Sequence, residues 1–321
     1  MKENTFKKSE NSFFFDVIVN DLFFAKKQTR KVVSLSPFFS KKDLNLKNKL
    51  KYLKDQRCLG YINLFIEKNK KGYPEIKKHR EQGNLKARLI KNYIQNDELI
   101  IINTAGGLTS GDLNFNSIKI SNDISIIITT QSMEKIYKCK NLHSHSYTNI
   151  EVGVNSSVSW MPLETIFFNG GKFRRRINID LKHASNFLGI ETMIFGRKAM
   201  GEIVNNGELD DAWQIHKNGQ LLYSDFNRIT GNINEKILKP FISKGNNIFC
   251  NIVYTGKKIR FYEKKILLLL NKSNYFLGVS VVNGVLLLKM LSKDILEIRS
   301  FLNDLMKIFD ENFNLPRIWS F

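Results

Sequence analysis

From about Arg57 onward, apolar residues come in short runs separated by turn residues. Tyr61–Ile66 gives way to Lys70-Lys71-Gly72, Leu85–Ile90 follows Gly83-Asn84, and Leu99–Asn103 runs into Gly106-Gly107. Ile124–Thr130, Tyr147–Val154, Val158–Met161, Thr165–Phe168 and Arg175–Leu181 continue the series. Within Phe115–Ile120 the pattern alternates, which puts Phe115, Ser117 and Lys119 on one face and Asn116, Ile118 and Ile120 on the other. Many short strands punctuated by turns predict a mainly β chain built as stacked, layered sheets. Strands and helices do not alternate, so a parallel α/β fold is not expected.

The period changes near the C-terminus. Ile295, Ile298, Phe301, Leu302, Leu305, Ile308 and Phe309 recur at helical spacing. Ser292 is a candidate N-cap and Asp294 suits the first turn, so a helix is predicted over about 292–311. Just before it, Tyr275–Val282 and Gly284–Met290 read as a hairpin around Asn283-Gly284. Residues 1–56 are different. Phe13–Phe15 and Val17–Val19 could form a strand or two, and Lys41–Lys54 is Lys- and Asn-rich with scattered leucines. The expected organisation is a poorly patterned extension over 1–56 and one β-rich domain over 57–321.

Composition narrows the function classes. Hydrophobic residues make up 42% of the 321, enough for a sizeable core. A helical membrane span needs about 20 apolar residues. Ser12–Ala25 is broken by Asp16, Asn20 and Asp21, and Ile266–Leu270 is short and flanked by Lys264, Lys265 and Lys272. Neither has the architecture of a secretory signal or span, so a cytoplasmic location and no membrane partner are expected. The three cysteines, Cys58, Cys139 and Cys250, are far apart and odd in number, which argues for reduced thiols. The net charge of +20 invites a nucleic-acid reading, and residues 1–100 hold 23 Lys and Arg against 11 Asp and Glu. Joint enrichment in Lys, Asn, Ile and Phe is also what A/T-rich codons produce. No RNA-binding aromatic motif, zinc finger or helix-turn-helix pattern accompanies the charge.

Candidate chemistry is sparse. Ala105-Gly106-Gly107-Leu108-Thr109-Ser110-Gly111-Asp112 is the densest glycine cluster, but Asp112 stands where a phosphate-cradling loop needs Lys. A tight turn fits better, because glycine supplies backbone angles that other residues avoid. Cys139, His143 and His145 form the one metal-like cluster, and on a strand the two histidines would share a face. His183 and His216 have no nucleophile and carboxylate at recognisable spacing. Glu164 sits among apolar strand residues, so it should be solvated, paired with one of Arg174–Arg176, or lining a polar cavity. Arg197 and Glu202 could pair across Ala199-Met200-Gly201.

Six stretches then resemble, in order, the urease accessory protein D family (UreD, also UreH). Glu81-Gln82-Gly83-Asn84-Leu85-Lys86-Ala87-Arg88 resembles "QRGPLKVR". Thr104-Ala105-Gly106-Gly107-Leu108, then Gly111-Asp112, resembles "PPGGL…GGD". Thr129-Thr130 with Lys135-Ile136-Tyr137-Lys138 resembles "TTPAATKFYR". The run from Trp160 and Pro162 through Gly170 resembles "WLPQETILFDGA", and Phe195-Gly196-Arg197-Lys198-Ala199-Met200-Gly201-Glu202 resembles "LGRPAMGE". Leu315-Pro316-Arg317-Ile318-Trp319 resembles the closing "PRVW". One departure stands out: Asn103-Thr104-Ala105 replaces the family's His-Pro-Pro.

The resemblance implies a β-helix-like fold of stacked sheets with one or two helices, and a metallochaperone scaffold instead of an enzyme. Implied partners are the urease apoprotein and accessory proteins F and G, with nickel as a transient cargo and no tightly bound cofactor. It makes Gly106, Gly107, Gly111, Lys135 and Tyr137 structural or partner-binding positions, together with Trp160, Pro162, Gly196, Arg197, Gly201, Glu202 and Arg317. A nickel conduit needs groups that release the ion, which favours the carboxylates Asp112 and Glu164 over a thiolate. The His143/His145 pair lies outside the resembled pattern. A nucleic-acid binder and a small-molecule enzyme are the alternatives from other classes.

Overall fold

The computed structural model describes residues 58–92, 95–270, 275–309 and 313–319. The expected extension over 1–56 lies outside the described residues. Among the described residues, seventeen strands form two facing sheets. The first sheet runs, in spatial order, β2 (Pro74–Gln82), β1 (Leu59–Lys68), β5 (Leu113–Ile120), β8 (Ser144–Val152), β11 (Lys172–Leu181), β13 (Gly207–Lys217) and β14 (Gln220–Gly231). The second runs β3 (Leu85–Ile90), β4 (Asp97–Asn103), β6 (Ser125–Thr130), β9 (Ser157–Trp160), β12 (Asn186–Phe195), β15 (Ile248–Thr255), β17 (Val285–Ser292) and β16 (Phe276–Val282). Two short strands, β7 (Glu134–Ile136) and β10 (Thr165–Phe167), extend the second sheet beside β12.

The chain coils. It crosses from β4 to β5, from β6 to β8, from β9 to β11 and from β12 to β13, so β1, β5, β8, β11 and β13 run parallel in the first sheet and β4, β6, β9 and β12 in the second, while the flanking pairs at the sheet edges are antiparallel. Parallel neighbours usually need a helical crossover. Here the strand of the opposite sheet serves as the crossover, which makes the architecture a β-solenoid. One corner repeats: Asp123, Asn155 and Ala184 take φ of 58°, 57° and 55° on successive turns. Asn and Asp tolerate that left-handed conformation. The corners bond to one another, since Val154 N donates to Asn122 Oδ1 and Asn155 Nδ2 to Asp123 Oδ1, both at 2.8 Å. The His183 carbonyl accepts from Asn155 N at 3.1 Å, so His183 belongs to this ladder.

Ile62, Ile118, Ile150 and Ile179 from the first sheet meet Ile126, Val158 and Phe187 from the second in the core between them. The second sheet is also covered on its outer face, by α2 (Ile259–Leu270) and α3 (Ile295–Met306), through Tyr262, Ile266, Ile298 and Phe301. Covering both faces explains why β12 is buried almost throughout and shows no alternation. A third helix, α1 (Ile233–Leu238), packs Ile233 and Ile237 against Phe167 and Phe195.

The predicted strands are present, with bounds that shift by a few residues, and the Asn283-Gly284 hairpin joins β16 to β17. The N-cap of α3 is Asp294 and not Ser292: Asp294 Oδ1 accepts from Leu296 N at 2.9 Å. Ser292 ends β17, and its hydroxyl accepts from Asp294 N and bonds Glu297. The helix stops at Met306, short of the predicted end.

Candidate functional site: a glycine-turn surface and an oxygen-lined cavity

The turn after β4 is shaped by its glycines. Gly107 has φ +152°, and a Cβ there would lie 2.5 Å from Tyr137 Cε2 and 2.6 Å from the Lys135 carbonyl. That close approach lets Leu108 N donate to Lys135 O at 2.7 Å and Tyr137 N to Leu108 O at 2.8 Å. Asp112 fixes the far end of the turn, with Oδ2 accepting from Thr109 N at 2.8 Å and Oδ1 from Cys58 N at 2.9 Å. Gly111, with φ +81°, donates its amide to the His143 carbonyl at 3.1 Å.

A surface grows outward from this turn. The Tyr137 ring meets Phe168 edge-on at 5.1 Å, and the Arg197 guanidinium lies 4.2 Å from the Phe168 ring centre. Arg197 Nε donates to Glu202 Oε2 at 2.7 Å, the local pair expected from the sequence. That hydrogen bond holds the Glu202 carboxyl below its ordinary range. Gly196, at φ +79°, passes against the Glu202 carbonyl, and Gly201 closes the short turn at φ +69°. Met200 is 75% exposed at its tip. Four separated stretches of sequence therefore meet on one face of the solenoid.

Behind the turn lies a cavity of about 70 Å³ between the sheets. Its outer end reaches the exposed residues Gly106 and Ser132. Glu134 lines this end, and the Asn103 side-chain amide donates to its Oε1 and Oε2 at 3.1 and 3.0 Å. Burial pushes the Glu134 carboxyl up to about 7, against the Asn103 hydrogen bonds, which pull it down. Asn114, Asn116 and Thr148 line the first-sheet wall, while Trp160 and Pro162 belong to the opposite wall.

A buried charge cluster closes the inner end. Arg175 on β11 donates to Asp211 on β13 at 2.9 and 2.7 Å and crosses to Glu191 on β12. Trp160 Nε1 donates to Glu191 Oε1 at 2.7 Å. Burial opposes the Arg175 charge, but Asp211 and Glu191 outweigh it and hold the guanidinium above its ordinary value. Burial also raises the Glu191 carboxyl, with Arg175 acting in the opposite direction. A pocket for an organic substrate usually spans ~300–1,000 Å³. The 70 Å³ between the sheets suits a few water molecules or one small hydrated ion. A wider, open hollow of about 480 Å³ lies at the rim formed by β2 and β3, beside His79 and Arg88.

A family model for the UreD urease accessory protein matches residues 59–320. The chain belongs to the UreD family. Curated family members agree along most of their length. A urease accessory protein UreD from Rhizobium johnstonii is 32% identical over 249 residues, covering 78% of this chain and 90% of the relative. Those from Agrobacterium fabrum and Azorhizobium caulinodans are each 28% identical, over 268 and 265 residues, covering 93% and 97% of their own lengths. Family membership accounts for the order in which the six stretches occur along the chain.

The residues singled out from the sequence divide into groups. Gly106, Gly107, Gly111, Lys135, Tyr137, Gly196, Arg197, Gly201 and Glu202 build the turn and its surface, whereas Trp160 and Pro162 line the cavity. Arg317 serves elsewhere: its backbone N and Nε donate to the buried Glu98 Oε1 at 3.1 and 3.2 Å, fastening the C-terminal segment to β4. Asp112 is buried and holds two backbone amides. Glu164 is buried and pairs with Arg299, not with any of Arg174–Arg176, its Oε1 accepting from Arg299 Nε at 3.0 Å. The structure does not bring Asp112 and Glu164 onto the cavity wall, where Glu134 and Glu191 stand instead.

His143 and His145 have ring centres 6.4 Å apart, and each has another partner. His143 Nε2 lies 3.1 Å from Glu208 Oε2, and His145 Nδ1 lies 3.1 Å from the Tyr147 hydroxyl. Burial, with the nearby Arg174, lowers the His143 pKa, so the ring is neutral near pH 7. Cys139 is buried and its thiol is pushed up by burial, so it stays protonated. Among the described residues no group of three His, Cys, Asp or Glu side chains is spaced to hold a metal ion. Reading the sequence missed Glu134 and Asn103 as a pair, because 31 residues separate them. The one available signal was Asn103, in the place of the family's histidine.

Proposed function

We propose that this chain acts in the maturation of urease, as a non-catalytic scaffold through which nickel reaches the apoprotein. The observation that carries this is the family match across residues 59–320. In this proposal the chain works in the cytoplasm, with the urease apoprotein on one side and accessory proteins F and G on the other. Nickel is cargo, held briefly and released. The nucleotide chemistry belongs to a partner, in keeping with Asp112 at the position where a phosphate loop would carry Lys.

Two features of the fold support a transit role. The cavity wall offers carboxylate, amide and hydroxyl oxygens, ligands that suit a hard or borderline ion and exchange it more readily than thiolates. The exposed surface around Tyr137, Arg197 and Met200 adjoins the glycine turn at the cavity's outer end, where a docked partner would meet the ion. Asp112 and Glu164 act here as positioning groups beside the route: Asp112 sets the turn, and Glu164 ties α3 to the segment before β10. No helix among the described residues is long and apolar enough to cross a membrane, and the proposal involves neither membrane nor nucleic acid.

The test is co-purification. The tagged full chain, co-expressed with the urease subunits and accessory proteins F and G, should retain both the urease apoprotein and protein F. Recovery of the chain with neither would overturn the proposal.

A further inference from the structure

The first sheet has an outer face that carries an aromatic row. Strand alternation sends Ile62, Ile118, Ile150 and Ile177 into the core, so Tyr61, Phe115, Tyr147 and Arg176 point the other way. These four, with Ala212 and Phe226, stand opposite one another in register across six strands. Tyr61 stacks on Phe115 with ring centres 5.7 Å apart, Phe115 meets Tyr147 at 6.5 Å, and the Arg176 guanidinium lies 5.7 Å from the Phe226 ring centre. Asn63, Asn149, Asn178 and Gln214 form the adjoining row. Asn178 Nδ2 donates to Asn149 Oδ1 at 2.8 Å, while the buried Asn178 Oδ1 and Gln214 Oε1 have no hydrogen-bond partner among the described residues.

This face is closed to solvent. Tyr61 is 0% exposed, Phe115 4%, and His216, further along the same face, 6%. Yet the apolar side chains packed with Tyr61 and Phe115 are Leu59, Leu113 and Tyr147, all from the sheet itself. Neighbours within a sheet stand beside a ring and leave its outward side open. Arg80 reaches within 5.9 Å of the Tyr61 ring centre but covers one end of the row only. The helices lie elsewhere: α2 and α3 cover the second sheet, and α1 packs against Phe167 and Phe195.

The cover therefore belongs to chain outside the described residues, and residues 1–57 are the one such stretch longer than four residues. They enter the described structure at the row itself. Cys58 O accepts from Leu113 N at 2.9 Å, next to Leu59 and Tyr61. Crossing from β1 to β14 takes five strand spacings, roughly 24 Å, which about eight extended residues span. Residues 1–57 also hold eight of the chain's 24 phenylalanines, among them Phe13-Phe14-Phe15. A segment tethered beside its own docking face binds at high effective concentration. The family model begins at residue 59, so family membership assigns this segment no role.

We propose that residues 1–57 dock on the outer face of the first sheet, an extended portion lying across the strands with apolar side chains on the Tyr61–Phe226 row and backbone N–H groups donating to Asn178 Oδ1 and Gln214 Oε1. The segment then occupies an aromatic surface that would otherwise be open to other proteins.

The experiment is photo-crosslinking of the full chain. The photoreactive residue p-benzoylphenylalanine replaces Tyr147, Phe226 or, as a control on α2, the exposed Leu268. Circular dichroism checks each fold, and the half-exposed Phe226 position serves if the Tyr147 replacement does not fold. Equal amounts of ¹⁴N- and ¹⁵N-labelled chain are mixed, irradiated and digested, and the joined peptides are identified by mass spectrometry. Positions 147 and 226 should crosslink to peptides from 1–57, each joined pair carrying a single label, and position 268 should not. Asn178→Ala with Gln214→Ala should lower the crosslink yield at position 226. Mixed-label pairs would assign the face to a second copy and overturn the proposal. Crosslinks confined to 58–321, no crosslink from a folded variant, or equal capture of 1–57 by position 268 would overturn it as well. An unchanged yield in the double alanine variant would overturn the hydrogen-bonding role.

Discussion

Arg299 on α3 reaches back to Glu164, with Nε 3.0 Å from Oε1 and Nη2 3.2 Å from Oε2. Glu164 is 2% exposed, so this two-point contact satisfies a charge that could not stand in the core alone. It also fastens the C-terminal helix to the solenoid across 135 residues of chain.

Removing one partner of a buried pair leaves the other uncompensated, which typically costs about 3 kcal/mol or more. Glu164→Gln and Arg299→Gln should each lower the urea midpoint by an amount of that order. The double variant should lose clearly less than the sum of the two, since neither charge is then stranded. Additive losses in the double-mutant cycle would mean that the contact contributes nothing.

Asp112→Asn tests the turn. A neutral amide can accept at one oxygen but presents a donor at the other position, facing Cys58 N or Thr109 N. A loss of roughly 1–3 kcal/mol is expected. Faster amide exchange at Thr109 than in the parent would locate that loss in the glycine turn.

Gly107 and Gly106 should respond differently. An added Cβ at Gly107 meets Tyr137 and the Lys135 backbone, while at Gly106 it meets open space. Gly106→Ala therefore carries only the strain of φ +72°, on the order of 1–2 kcal/mol. Gly107→Ala must also displace Tyr137 from Phe168, so it should cost more and should disturb the Tyr137 environment in near-ultraviolet circular dichroism. Equal thermal midpoints for the two variants would contradict this.

The sequence pattern conveyed the architecture better than the site. Strands with one buried face, such as β5, announced themselves by alternation, and Asn283-Gly284 marked its hairpin. β12 was hidden because both of its faces are covered, and β2 because it is a polar edge strand with little apolar content. The coiling was legible only in three dimensions, where Asp123, Asn155 and Ala184 stack as one corner. At the site, Arg197 and Glu202 were legible because they are near neighbours in sequence. Glu164 was expected to be solvated, paired with one of Arg174–Arg176 or lining a polar cavity; it is buried against Arg299, to which nothing local in the sequence points. Glu134 looked like an ordinary charge at a strand end until Asn103 was folded against it.

Glu134 also gives the fold a pH dependence of known sign. Burial, opposed by the Asn103 hydrogen bonds, raises its carboxyl from 4.5 to about 7. Between those values the folded chain keeps a proton that the unfolded chain has released. The associated stability is fully present below about pH 4.5 and is lost as pH rises through about 7. The urea midpoint of the parent should fall over that window more than that of Glu134→Gln, with the variant the more stable of the two at about pH 8. Parallel pH profiles for parent and variant would show that the carboxyl titrates normally.

The most direct test of the role in urease maturation is the nickel content of urease itself. Urease subunits are co-expressed with accessory proteins F and G, with and without this chain, and the purified urease is assayed for nickel per active site and for activity. Urease made with the chain should be loaded and active, while urease made without it should be nickel-poor and largely inactive. Equal nickel content and activity in the two preparations would contradict a role for this chain in delivering the metal.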